Sequence, residues 1–326
     1  MGMITQFFPQ KPTFTDQPLP DLKGKVYIVS GANTGLGKEV ARSLYAKNAK
    51  VYIFARTESK ANQAIADIQK AHPSSSGSLA FIPIDYNDLR AVKPAVDTFL
   101  RQETQLHALF NNAGVMAGSA DVPKTVQGYE QQLGVNFIAT YLFTKLLTPT
   151  LVATAKSAPV GTVRVVWVSS LSTEMYAEKN TAFDMDNLDY HVEKPVLYKY
   201  GISKAGAWAY AVELAKRHQA DGVVSIALNP GNLKSDLFRS QGRAMKIMNS
   251  MILYPVPSGA ATQLFAAFSP QVTKETSLSG SWVIPFGRVA AIRKDLINAT
   301  KSAQQGGNDG TCKFWEWTEG QVRQYQ

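Results

Sequence analysis

The stretch KVYIVSGANTGLGKEV at residues 25–40 decides how this chain is read. Its apolar start, Val26, Tyr27, Ile28 and Val29, has the length and β-branched content of a short buried strand. Glycines at 31, 35 and 37 then turn the chain into a helix. Such a turn lets a phosphate approach the backbone, and the helix behind it offers unpaired N–H groups and the positive end of its dipole. The stretch predicts a pyrophosphate site. Its spacing, Gly-x3-Gly-x-Gly, differs from the common Gly-x-Gly-x2-Gly fingerprint, and taken alone it fits an ordinary tight turn equally well.

Working outward, strands and helices alternate. Strands are predicted at 26–29, 51–56, 79–84, 107–110, 163–168, 223–228 and 281–286, and helices at 58–71, 89–101, 126–147, 203–219 and 259–268. This rhythm implies a parallel sheet covered on both faces. It breaks over 171–199, which carries acids and aromatics without a sustained period. Residues 1–24 contain four prolines and read as an extended arm; residues 25–287 read as one domain; residues 288–326 read as an extension packed on its outside.

Composition narrows the function. The 326 residues are 45% hydrophobic and 18% charged, as in a globular protein with a sizeable core. One cysteine, Cys312, excludes an intramolecular disulfide and a cysteine metal cluster, and suits a reducing compartment, with the cytoplasm as the expectation. No run reaches the roughly 18–20 apolar residues of a membrane span, and the first residues lack a signal-peptide core. The net charge of +9 is spread through the chain without a basic cluster, so nucleic acid is not the expected partner. The histidines, His72, His107, His191 and His218, lack metal-ligand spacing, so no metal is expected.

Further motifs follow the glycine turn in order: NNAG at 111–114, VVWVSS at 165–170, YGISK at 200–204 and NPG at 229–231. With them the chain resembles the short-chain dehydrogenase/reductase family over residues 25–287. The wording GANTGLGKE and NNAGVM is most similar to its retinol-dehydrogenase-like members and their fungal relatives. The resemblance implies one Rossmann-type, doubly wound α/β domain with a seven-stranded parallel sheet, which matches the strand count. It also implies roles. Tyr200 would give its proton to a carbonyl oxygen as hydride arrives from the nicotinamide, Lys204 would hold the nicotinamide ribose and tune Tyr200, Ser170 would bind the same oxygen, and Asn136 would anchor a relay water. Gly31, Asn33, Gly35, Leu36 and Gly37 would hold phosphate, Asp85 the adenine, and Asn112 and Gly114 the adenosine side. Pro230, Leu233 and Ser235 would meet the carboxamide end. Serines replace the family's usual threonines at Ser30 and Ser235.

The Tyr-x3-Lys spacing occurs three times, at Tyr141/Lys145, Tyr190/Lys194 and Tyr200/Lys204. Residues four apart share a helix face, where an ammonium favours the ionised phenol. Pro195 disfavours helix at Lys194, and Tyr141 precedes the strand that delivers the serine. Tyr200 and Lys204 are therefore the expected pair, with Ser169 the rival of Ser170.

Cofactor choice follows from charge. A ribose 2′-OH calls for a carboxylate after the second strand, and a 2′-phosphate for a cation. Here Ala55 is followed by Arg56, with no acid before Glu58, so NADP(H) is expected over NAD(H). The long interval from Ser170 to Tyr200 predicts a substrate-side insertion at 171–199. Methionines at 245, 248 and 251 predict a lid at 236–257 over a lipophilic carbonyl or alcohol. The expected function is NADP(H)-dependent carbonyl/alcohol interconversion on a fairly large apolar molecule, in a secondary-metabolism setting. An imine reductase or cyclisation catalyst, a non-catalytic NADP(H)-binding regulator, and a homodimer stay open.

Overall fold

The computed structural model describes residues 4–12, 14, 19–118, 122–234 and 253–326. The helices are α1 (Ile4–Phe7), α2 (Gly35–Tyr45), α3 (Glu58–Ala71), α4 (Val92–Leu100), α5 (Gln131–Ala155), α6 (Ser172–Tyr176), α7 (Val196–Arg217), α8 (Val256–Phe268), α9 (Lys274–Leu278), α10 (Lys294–Ala299) and α11 (Gly310–Val322). The strands are β1 (Val26–Ser30), β2 (Lys50–Ala55), β3 (Ser78–Pro83), β4 (Ala108–Asn111), β5 (Arg164–Val168), β6 (Val224–Leu228), β7 (Trp282–Ile284) and β8 (Arg288–Ala290).

They form one sheet in the order β3-β2-β1-β4-β5-β6-β7-β8. The order reverses beside β1, so the chain leaves β1 and β4 toward opposite faces of the sheet and opens a crevice beyond their carboxyl ends, where ligands bind in such sheets. β1, β4, β5 and β6 are buried along their whole length, as strands covered on both faces must be. On one side lie α2, α3 and α8, with Val40, Leu44, Ile68 and Phe265 packed on Val29, Ile53 and Val166. On the other lie α4, α5, α7 and α11, with Phe99, Phe143, Trp208 and Phe314 in one core with Ile28 and Trp167.

Two expectations change. The sheet has eight strands rather than seven, and it is not wholly parallel, because β8 folds back antiparallel on β7, Val283 facing Val289. Gly287, at φ 92°, supplies the left-handed residue of that turn. Helix α7 begins at Val196, one turn before Tyr200, because Pro195 stands just ahead of it, where its fixed φ costs the helix nothing. α5 has the length and mean hydropathy, 1.3, of a membrane-crossing helix, yet 67% of that window is buried inside the protein, as in a core helix. The proposed lid falls largely on residues 235–252, outside the described residues.

Candidate active site

Ser30 closes β1 and ties the crevice together. Its Oγ donates to the Phe110 carbonyl at 3.1 Å and accepts from the N–H groups of Asn112 and Ala113, each at 3.0 Å. Asn112 answers through Nδ2 to the Ser30 carbonyl at 2.9 Å, while its Oδ1 accepts from the buried Gln263 at 2.9 Å. These bonds hold the carboxyl end of β4 against the glycine turn. A Cβ on Gly37 would lie 2.5 Å from Asn112 Nδ2 and 2.7 Å from the Gly31 carbonyl, so only glycine fits. Thr34, which precedes α2, makes no side-chain cap. The first N–H groups of α2, around Gly35, Leu36 and Gly37, thus remain for an anion, with Asn33 half-buried beside them.

The rest of the crevice continues from the neighbouring strands. Arg56 follows β2, exposed and with no ion pair among the described residues. Asp85 is half-buried after β3; one carboxylate oxygen accepts from the Asn87 N–H at 3.0 Å. The set fits a dinucleotide: an uncapped helix start for pyrophosphate, a glycine cradle and an unpaired cation at the adenosine end.

At the other end, Ser170, Tyr200 and Lys204 come together with Asn136. β5 delivers Ser170, half-buried, whose Oγ accepts from the Ser172 N–H at 3.2 Å. Burial pushes the Tyr200 phenol up to about 12, and its hydrogen bond with Ser170 pulls the other way. Lys204 Nζ donates to the Val168 carbonyl at 3.0 Å and stands 5.9 Å from the Tyr200 ring centre; burial lowers its pKa to about 8. A Cβ on Gly114 would be 3.1 Å from Lys204 Nζ and 3.2 Å from Asn136 Oδ1, so glycine lets the chain pass between them. Asn136 is buried in a π-helical stretch, Gly134–Ala139, of α5. Its amide accepts from the Val115 N–H at 2.7 Å and donates to the Val115 carbonyl at 2.9 Å and to Ser203 Oγ at 2.8 Å. It therefore points inward rather than to solvent. Ser203 in turn donates to the Tyr200 carbonyl at 2.7 Å.

The rival residues have other work. Ser169 Oγ is buried and donates to the Lys204 carbonyl at 2.8 Å, with Thr173 Oγ1 also at 2.8 Å. Tyr141 and Lys145 both bind Glu319 of α11. Tyr190 lies outside any helix at φ 57°, and Lys194 pairs with Asp184 at 3.9 Å. Pro230 is half-buried, and Leu233 is buried in a bridge with Tyr254. Ser235 lies outside the described residues. Sequence reasoning missed Ser203 and Gln263. Ser203, three residues beyond Tyr200 on a helix, carried a readable signal; Gln263 is joined to the site only by tertiary structure, through Asn112.

The family model described as short chain dehydrogenase matches residues 25–183. A short-chain dehydrogenase/reductase of Phomopsis amygdali is 52% identical, over 98% of this chain and 96% of that protein. Short-chain dehydrogenase/reductase bet4 of Neocamarosporium betae is 48% identical, over 99% and 94%. Among solved structures, the Pseudomonas aeruginosa RhlG/NADP active-site complex shares the fold, with a TM-score of 0.61 over 81% of this chain and 96% of that one at 21% identity.

Proposed function

The chain belongs to the short-chain dehydrogenase/reductase family, and from that premise we propose that it is an NADP(H)-dependent oxidoreductase interconverting a carbonyl and an alcohol on a fairly large apolar molecule. The observation that carries the reading is the convergence of Ser170, Tyr200 and Lys204 at the carboxyl end of β5. When bound, a reduced nicotinamide supplies the hydride. Tyr200, held protonated by burial, gives its phenolic proton to the carbonyl oxygen as the new C–H bond forms, and Ser170 donates a hydrogen bond to that oxygen. Lys204, a cation at neutral pH, steadies the phenolate that remains and binds the nicotinamide ribose. Asn136 positions the Val115 backbone and, through Ser203, the turn that carries Tyr200; the second lone pair of its Oδ1 suits a relay water.

Arg56 supports NADP(H), since a cation there meets a 2′-phosphate. An apolar substrate is supported by Met175 and Leu197, exposed on the helices that flank Ser170 and Tyr200. Residues 25–287 would be the catalytic unit, acting in the cytoplasm on a secondary metabolite.

The test is Tyr200→Phe, which removes the proton donor and little volume. NADPH-dependent reduction should fall by about 10² to 10⁴, with NADPH affinity nearly unchanged. Tyr141→Phe and Tyr190→Phe should keep near-parental rates. Parental turnover in Tyr200→Phe would remove it from the mechanism, and turnover of imines but not carbonyls would replace the substrate class.

A further inference from the structure

Two polar side chains are buried on α8. Thr262 turns back to the Ser258 carbonyl of its own helix at 3.4 Å, whereas Gln263, fully buried, reaches outward to the cofactor crevice. Its Nε2 donates to Asn112 Oδ1 at 2.9 Å, and its own Oε1 has no hydrogen-bond partner among the described residues. A buried amide with an unpaired oxygen lowers stability, and an apolar side chain of the same shape would hold α8 on the sheet without that cost. Packing alone gives no reason for the amide.

The reason lies in what Asn112 holds. Its Nδ2 donates to the Ser30 carbonyl at 2.9 Å and fills the space that a Cβ on Gly37 would need. Gly31 follows at φ 67°, its N–H donating to the Phe54 carbonyl at 2.7 Å. The Asn112 amide can serve Ser30 in only one orientation, because turning it over would set oxygen against oxygen. Gln263, offering a donor from behind, selects that orientation. The helix is itself fixed in depth. Gly259, one turn before Gln263 on the same face, leaves room for Leu233, with which a Cβ there would collide. Leu233 belongs to the loop after β6 and bridges Tyr254, two residues before α8 begins.

We infer that Gln263 is a positioning residue for the dinucleotide. By holding the Asn112 amide it keeps the glycine turn in the shape that receives a pyrophosphate, and so sets the affinity for NADPH and NADH alike. The inference rests on the reading of that turn as a pyrophosphate site. Apparent affinity falls by the fraction of molecules that are competent to bind, so a turn in shape one-tenth of the time binds about tenfold more weakly.

The experiment compares the parent, Gln263→Met, Asn112→Ala and the double variant. Fluorescence titration gives the dissociation constants of NADPH and NADH; amide hydrogen exchange and urea denaturation are followed without cofactor. Gln263→Met should raise both constants about tenfold, equally to within about twofold, and should speed exchange over residues 30–37 and 112–114. It trades an unpaired Gln263 Oε1 for an unpaired Asn112 Oδ1, so the urea midpoint should stay near the parent's. The double variant should bind no more weakly than Asn112→Ala, because Gln263 acts through Asn112. If Gln263→Met unfolds at the assay temperature, Gln263→Asn, whose amide stops one methylene short, is read in the same way. Unchanged dissociation constants with a lowered midpoint would make Gln263 a packing residue and overturn the inference. A loss confined to NADPH, or a double variant that loses the sum of the two single losses, would overturn it too. A parent that binds neither cofactor would sink the dinucleotide reading, and the inference with it.

Discussion

Lys204 and Tyr200 face the same burial with opposite consequences. Removing water disfavours whichever form is charged, so the ammonium falls to about 8 and the phenol rises to about 12. At neutral pH the pair is therefore a cation beside a protonated phenol, the state needed for reduction. As pH climbs through about 8 Lys204 loses its charge while Tyr200 keeps its proton, so the basic limb of kcat/KM for reduction should belong to Lys204 and lie near 8. Lys204→Arg stays charged, and should push that limb out of range at a rate cost of about 10²-fold for the misplaced cation. A limb still near 8 in that variant would assign it to another group. Arg56 makes a second test at this scale. Arg56→Leu should weaken NADPH by about 1.5 to 3 kcal/mol, the worth of a charged hydrogen bond, and leave NADH unchanged, both read by fluorescence titration. Equal losses for both cofactors would refute the 2′-phosphate contact.

At the scale of elements, α11 joins pieces that lie far apart in sequence. Phe314 is fully buried; its ring stacks on Phe183 at 3.8 Å and on Tyr210 at 5.3 Å, and meets Phe137 at 4.9 Å. One side chain thus binds the C-terminal helix to the 171–199 insertion, to α7 and to the π-helical stretch holding Asn136. Phe314→Ala should cost about 3 to 5 kcal/mol in urea denaturation, as for other buried aromatics. A loss below about 1 kcal/mol would make α11 a passive cover. The Glu319 contacts on the same helix are a contrast, since Lys145 and Glu319 are each about one-third exposed, at 31% and 33%. A half-solvated pair of this kind is worth at most about 1 kcal/mol, so Glu319→Gln should barely move the midpoint. Those contacts also explain why Tyr141/Lys145 has the spacing of a catalytic pair without its setting: a carboxylate already engages both groups, beside a cleft of about 450 Å³ lined by Trp167 and Trp315.

Across the whole molecule, what could be read from the sequence was whatever repeats locally. Helix 58–71 is found at Glu58–Ala71, and the buried strands lie within a residue or two of their apolar runs, because a strand covered on both faces must be apolar throughout. The glycine turn and the Tyr200/Lys204 spacing are local signals too, but the spacing occurs three times, and the roles expected of these residues came with the family resemblance. β8 was not legible, since three half-buried residues carry no period, and neither was Gln263, whose partner Asn112 lies 151 residues away. His107 was legible only as a histidine without metal-ligand spacing, on the surface or satisfied inside. It sits at the start of β4, its Nδ1 accepting the Val26 N–H at 3.1 Å, and so joins the two strands at the centre of the sheet. Burial, helped by the charge of Lys25, holds its pKa down to about 4. The unfolded chain takes up this proton below about pH 6.5 while the folded chain refuses it until about 4, so stability must fall as pH drops through that window, by roughly 1 to 3 kcal/mol. Glu130 and Glu174 act in the opposite sense, because burial raises both and the folded state binds their protons first. The histidine's share is therefore isolated by difference. His107→Asn keeps an acceptor for the Val26 N–H and cannot charge, so its urea midpoints should decline less than the parent's between pH 6.5 and 4. Parallel declines in the two proteins would place the acid sensitivity elsewhere.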